Sequence, residues 1–187
     1  ALDFAAVTDH VEFMGEMYAG LHPGTPGHDN SVLQQLISLE DPDERHRWFM
    51  KYVISNSRSD TPKRTDFFPG DDVVKSGWQS VIAAAEQHYE PGVFSTLIAF
   101  EWTAVAQGGN LHRNILFRNS KVPEFPNSRY ELPREEQLWA WLHEQEKMGI
   151  KSVAIPHNSN ASKGLMFAET NSAGAPIDKA YAELRAH

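Results

Sequence analysis

The chain contains no cysteine among its 187 residues. A disulfide framework, a thiolate-bound zinc site and a cysteine nucleophile are therefore excluded. No apolar run approaches the roughly 18 residues that a membrane-spanning helix needs. The first residues, ALDF, carry no basic stretch, no apolar signal segment and no initiator Met. They read like the inside of a strand, so a mature or trimmed soluble chain of the cytoplasm or periplasm is expected. Basic residues are scarce: 17 Lys and Arg stand against 25 Asp and Glu, for a net charge of −8. That balance, without any basic stripe, argues against a nucleic-acid partner and is compatible with cation binding. What is present is ordinary for a globular protein. A hydrophobic share of 41% rules out low-complexity disorder and is enough to fill one core. Histidine is the exception: nine are present, a high count for a chain of this length, and several stand beside apolar runs.

Residues 2–8 (LDFAAVT) read as a buried strand ending at Asp9-His10. Residues 13–20 suit one or two helical turns, and residues 22–28, with two Pro and two Gly, a loop. A helix is expected over 29–39. Another begins with Asp41 as cap, Pro42 at its first position and Glu44 three residues on, turning His46, Phe49, Met50 and Val53 to one face. Residues 56–69 are polar with two prolines and read as a loop. Asp71 can cap a third helix with Val74, Trp78, Val81, Ile82, Ala85 and Tyr89 as its apolar stripe. TLIAF (96–100) reads as a second buried strand ending at Glu101, RNILF (113–117) as a third and SVAI (152–155) as a fourth ending at Pro156-His157. Gly108-Gly109-Asn110 is a turn. A helix over about 134–148, with Leu138, Trp141, Leu142 and Met148 inward and Gly149 as its cap, precedes the fourth strand, and a last helix is expected over 177–187. Helices alternating with buried strands predict an α/β chain with a largely parallel sheet.

In such sheets ligands bind beyond the carboxyl ends of the strands. That places Asp9, His10 and Glu12, then Glu101, then His157 and Asn158 at candidate site positions, with His112 in the turn before the third strand. His10, Glu101, His112 and His157 are candidate metal ligands, because imidazole with carboxylate suits Zn, Mn or Fe. Asp9 or Glu12 would support a ligating His by accepting its other ring proton. Each residue has a plain structural alternative. Asp9-His10 would cap a helix, Glu101 would pair with a surface Arg, His112 would be a satisfied turn residue, and Pro156-His157 would simply open a loop. Arg113 would hold a phosphate oxygen in two parallel hydrogen bonds or else make a structural salt bridge. Asn110 and Asn158 are candidate substrate contacts, and Asp9 and Arg113 are the candidates for catalysis. His22, His28, His46, His88, His143 and His187 read as surface or structural.

The run LDFAAVTDHVEFMGE, followed by LIAFEWTA, GGNLHRNILF and VAIPHNSN, resembles the PHP (polymerase and histidinol phosphatase) superfamily. The order TDH, FEWT, HRN, PHN points to its branch of long PHP-like proteins known as a domain of unknown function. The resemblance covers most of residues 1–170. It implies a distorted seven-stranded β/α barrel with two or three metal ions, on which small phosphorylated or ester substrates are hydrolysed by metal-activated hydroxide. It further implies that His10 binds one ion, that Glu101 bridges two, and that His112 and His157 bind the second of that pair. The superfamily's leading His-x-His and late Asp-x-His are not found in this sequence. The chain is therefore expected to be a single incomplete PHP-like domain, an internal fragment with a helical insertion at about 29–90. On that reading it has partial or absent metal, weak or no turnover, and a sheet edge open to dimerisation. The competing reading is a non-catalytic fragment, or a metal- or ligand-binding module.

Overall fold

A computed structural model describes residues 2–57, 59 and 61–186, the side chain of residue 57 excepted. In chain order, β1 (Phe4–Ala6) leads through a 3-10 turn at Val11–Phe13 into α1 (Met14–Leu21). The next segment holds α2 (Ser31–Ser38), then α3 (Pro42–Phe49), which runs through a π-helical turn (Met50–Ile54) into α4 (Ser55–Ser57). The long α5 (Asp71–Gln87) closes this helical region. There follow β2 (Ser95–Leu97), β3 (Ala99–Trp102), a hairpin of β4 (Val105–Ala106) and β5 (Gly109–Asn110), β6 (Arg113–Phe117), α6 (Glu135–Lys147), β7 (Ser152–Pro156) and α7 (Lys179–Ala186).

The expected largely parallel sheet of a seven-stranded barrel is not what forms. β3, β6 and β7 make an antiparallel sheet in that order, and β4 pairs antiparallel with β5. The parallel pairing is that of β1 with β2, and no barrel closes among the described residues. Chain length accounts for part of this. Only residues 103–112 separate β3 from β6, and they already contain a hairpin, whereas a parallel connection needs about a dozen residues or more. The strands at the two sides are also not buried as expected. Phe4 is 66% exposed on β1, and Val153 is 52% exposed on β7, because each of these strands has a neighbour on one side only. The expected second strand is broken at Ile98: its first half pairs with β1 and its second half with β6.

The helices follow their local signals closely. The Asn30 side chain accepts from the Val32 N–H, and Asp41 accepts from Asp43 N–H ahead of Pro42. Gly70, at φ 105°, precedes α5 and takes the cap position expected of Asp71. The α3 face does differ from expectation. Trp48 turns inward with Tyr52 and Val53, while Phe49 and Met50 are exposed. The π-helical turn shifts the side-chain phase, and Trp48 and Tyr52 meet ring to ring at 4.8 Å. Tyr89, beyond the end of α5, and Met148, just past α6, are exposed, and Trp139 is buried in their stead on α6.

Two apolar clusters result. The sheet cluster packs Trp78 of α5 against Phe100, Trp102, Ile115, Phe117 and Leu138. The helical cluster gathers Ala19, Leu33, Trp48, Phe67 and Val73. The helical stretch therefore divides: α5 belongs largely to the sheet, and α2 and α3 to the second cluster.

Candidate metal centre

Glu101 is the hub. It lies within β3 rather than after a strand, and it is buried. Its Oε1 is 2.8 Å from His112 Nδ1, 3.3 Å from His10 Nδ1 and 3.4 Å from His157 Nε2. The rings of His10 and His112 meet edge to face at 5.9 Å, as do those of His112 and His157 at 5.8 Å.

Antiparallel pairing is what gathers these groups. β6 begins where β3 and β7 end: Arg113 is opposite both Trp102 and Pro156. His112, just before β6, and His157, just after β7, are thereby neighbours, and the His157 N–H donates to the His112 carbonyl at 3.2 Å. His10 arrives from the other side. The β1–β2 register continues past the break to a parallel bridge between His10 and Glu101, where the Glu101 N–H donates to the Asp9 carbonyl at 2.9 Å. Gly109 permits the close approach of the β4–β5 hairpin, since a Cβ there would fall 2.3 Å from the Ser162 carbonyl oxygen.

Thr103, which sequence reading overlooked, ties the ligands together. Its hydroxyl donates to Glu101 Oε1 at 3.1 Å and also contacts His10 Nδ1. Strand alternation was the available signal, because residues two apart share a face. Glu12 is hydrogen-bonded to backbone N–H groups rather than to His10 among the described residues. Its Oε1 accepts from the backbone N–H of Thr103 at 2.9 Å and of Arg129 at 3.3 Å, so it steadies the ligands through Thr103. Behind it lie two further residues that the sequence did not single out. Arg129 is 2% exposed and donates to the Ser59 carbonyl at 2.8 Å, and Glu16 is 1% exposed and accepts from the Thr65 hydroxyl at 2.9 Å.

Burial pushes the Glu12 carboxyl up to about 7, against the pull of its hydrogen bonds from Thr103 and Arg129. Burial raises Glu16 in the same way. At Glu101 burial pushes upward too, but the His112 hydrogen bond and the charges of His10, His112 and His157 outweigh it and hold the carboxyl below its ordinary range. His10 is lowered, chiefly by burial and then despite Glu101.

The other candidate residues divide. Asn110 lines the same cleft as His10 and His112, and Asn158, in a left-handed conformation at φ 60°, places its side-chain amide 3.5 Å from His112 Nδ1. Asp9 is exposed beside His10 in that cleft. Arg113 is not brought to the cluster. Its guanidinium is buried, donates to the Leu111 carbonyl and lies 5.3 Å from the Trp139 ring centroid and 5.8 Å from that of Trp102. Among the remaining histidines, His28 bonds the Ala19 carbonyl, His22 stacks on Tyr18, and His46 and His88 are exposed. His143 is half-buried on α6. His187 lies outside the described residues.

His10, Glu101 and His112 each offer a ligand atom, and these atoms all fall within 4.8 Å of one another. Ligands held tetrahedrally at about 2.1 Å from one ion are separated by roughly 3.4 Å. The Glu101 distances to His10 and His157, 3.3 and 3.4 Å, match that spacing, while His112 at 2.8 Å is hydrogen-bonded to Glu101 directly and would have to draw back by about 0.6 Å to share an ion with it. The cluster can hold a metal ion, and its donor set suits a borderline divalent cation. No helix among the described residues is long and apolar enough to cross a membrane. No curated protein and no solved structure matches the chain. A family model does match, over residues 1–187, and the chain belongs to that family, described as protein of unknown function (DUF3604).

Proposed function

We propose that the protein is a metal-dependent hydrolase acting on phosphoesters, with Zn, Mn or Fe held by Glu101, His10, His112 and His157. The observation that carries this reading is the convergence of three imidazoles on one buried carboxylate oxygen at 2.8–3.4 Å. The order of TDH, FEWT, HRN and PHN along the chain supports kinship with the PHP superfamily. A bound ion would supply an activated water near neutral pH and would neutralise charge on a phosphoryl oxygen. The chain's own groups do the rest. Thr103 fixes the Glu101 and His10 orientations. Asn110 and Asn158 border the cluster and are suited to hydrogen-bond a substrate oxygen. Asp9, exposed in the cleft beside His10, is placed to accept a proton.

A second reading, metal binding without turnover, is favoured by one observation: the expected phosphate anchor, Arg113, is enclosed away from the cluster. Elemental analysis and hydrolysis of 4-nitrophenyl phosphate separate the two. The hydrolase reading expects close to one or more equivalents of metal, and a turnover that falls at least about a hundredfold in Glu101→Gln and His112→Ala. Stoichiometric metal without turnover would establish the second reading, and a chain that takes up no Zn, Mn or Fe would overturn both.

A further inference from the structure

Resting on that hydrolase reading, the shape of the cleft specifies the kind of phosphoester. A single cleft of about 850 Å³ runs from Asp9, His10, Thr103, Asn110 and His112 along the inner faces of α1 and α3. Its volume is that of a site for a medium-sized organic ligand. Its two ends differ in chemistry. The polar groups gather at the cluster. The long wall is made by Met14, Met17, Trp48, Phe49 and Phe67. Of the polar groups along that wall, the Arg45 Nε–H donates to the Leu39 carbonyl, His22 stacks on Tyr18 at 4.0 Å between ring centroids, and the buried Trp48 indole N–H has no hydrogen-bond partner among the described residues. Phe49 and Met17 are 45% and 40% exposed, so a ligand can still cover them.

We infer that the substrate is an amphiphile, a phosphate ester whose head group meets the metal cluster and whose alkyl or aryl body lies against the Met17–Trp48–Phe49 wall. A sugar phosphate or nucleotide fits this wall poorly. Most of its hydroxyl and amide groups would lose water against Met14, Met17, Phe49 and Phe67, whose side chains carry no N–H or O–H donor, at about 1–3 kcal/mol for each such group. A hydrocarbon body has the opposite balance, because every methylene removed from water strengthens binding.

Binding of butyl phosphate and octyl phosphate to the Mn-loaded protein, read by calorimetry at concentrations where neither aggregates, tests this. Octyl phosphate should bind at least tenfold more tightly, since about 0.8 kcal/mol per buried methylene sets an upper limit near two-hundredfold for four added methylenes. In a Met17→Ser/Phe49→Ser double variant, whose metal content serves as the folding control, that preference should shrink to about threefold or less. Equal affinity for the two esters in metal-loaded protein would overturn the inference and leave the hydrolase reading standing. A preference that survives the double variant places the alkyl chain elsewhere and overturns it too. A dimer whose formation abolishes the preference makes a second copy the occupant of the wall and likewise overturns the inference. Failure to load metal, with the chain-length preference intact, would sink the hydrolase reading while keeping the apolar wall as a hydrocarbon site.

Discussion

The sheet cluster and the helical cluster are both apolar cores, yet they serve the site differently. The sheet cluster carries three of the candidate ligands on its rim: Glu101 inside β3, His112 before β6 and His157 after β7. Their spacing is fixed by hydrogen-bonded register, which tolerates little drift. The helical cluster contributes no candidate ligand. It sets one wall of the cleft through Trp48 and Phe67, and it holds Trp48 with its indole N–H unpartnered. One core thus fixes the chemistry, and the other shapes what reaches it.

The sharpest way to break that contrast is a matched pair of truncations. Phe100→Ala removes a fully buried ring from the sheet cluster and should cost roughly 3–5 kcal/mol in denaturant unfolding, with metal affinity falling alongside. Trp48→Ala should cost about 3 kcal/mol, yet leave metal affinity within about twofold, as independent sites do. Equal losses of metal affinity would show that the two clusters form one unit. A smaller effect is expected at the joint between ligands. Thr103→Val keeps the shape and removes the hydroxyl, so stability should fall by about 1 kcal/mol while metal affinity drops about tenfold, with Thr103→Ser restoring both. The smallest effect lies behind the cluster. Burial holds the Glu16 carboxyl above its ordinary range, among Thr65, Arg64 and the neighbouring Tyr130, so the folded chain keeps that proton to higher pH than the unfolded chain. The stability carried by the proton is present in acid and is lost as the pH rises through the folded-state value. Glu16→Gln escapes that loss and keeps the acceptor for Thr65, so thermal melts should show it gaining on the parent as the pH rises through and above the ordinary carboxylate range. A constant difference across that range would mean that Glu16 titrates normally.

Local signals were legible in the sequence and strand directions were not. The expected Gly108-Gly109-Asn110 turn closes at Gln107-Gly108 and leaves Gly109 and Asn110 to β5, whereas the Asp41-Pro42 start of α3 and the whole of β6 follow from side-chain chemistry within a few residues and fall where expected. The same holds for the residue types at the cluster, because His and Glu flanking apolar runs are visible without a fold. Pairing direction is a long-range property. β6 and β7 are separated by α6, which reads as a crossover between parallel strands, yet they pair antiparallel. The short connection before β6 was the one clue available, and it outranks the alternation of helix and strand. Arg113 departs from expectation for a different reason. Next to His112 in sequence, it faces α6 and Trp139, because adjacent residues on a strand point to opposite sides. The Glu12–Thr103–Arg129 link spans distant parts of the chain and had no local signature.

His10 meets Thr103 across 93 positions of chain. The other ligands come from an antiparallel sheet that needs no help from the N-terminal segment to form its ladder, whereas β1 is held by a three-residue pairing and one bridge. Closing so long a loop carries an entropic cost, and so short a strand offsets it only weakly. What anchors His10 more firmly than β1 does is the burial of Val11 and Glu12 directly after it, with Glu12 accepting from the Thr103 and Arg129 N–H groups. An ion shared between His10 and Glu101 would act as a clasp on β1, coupling occupancy of the centre to how firmly that strand is fastened to β2.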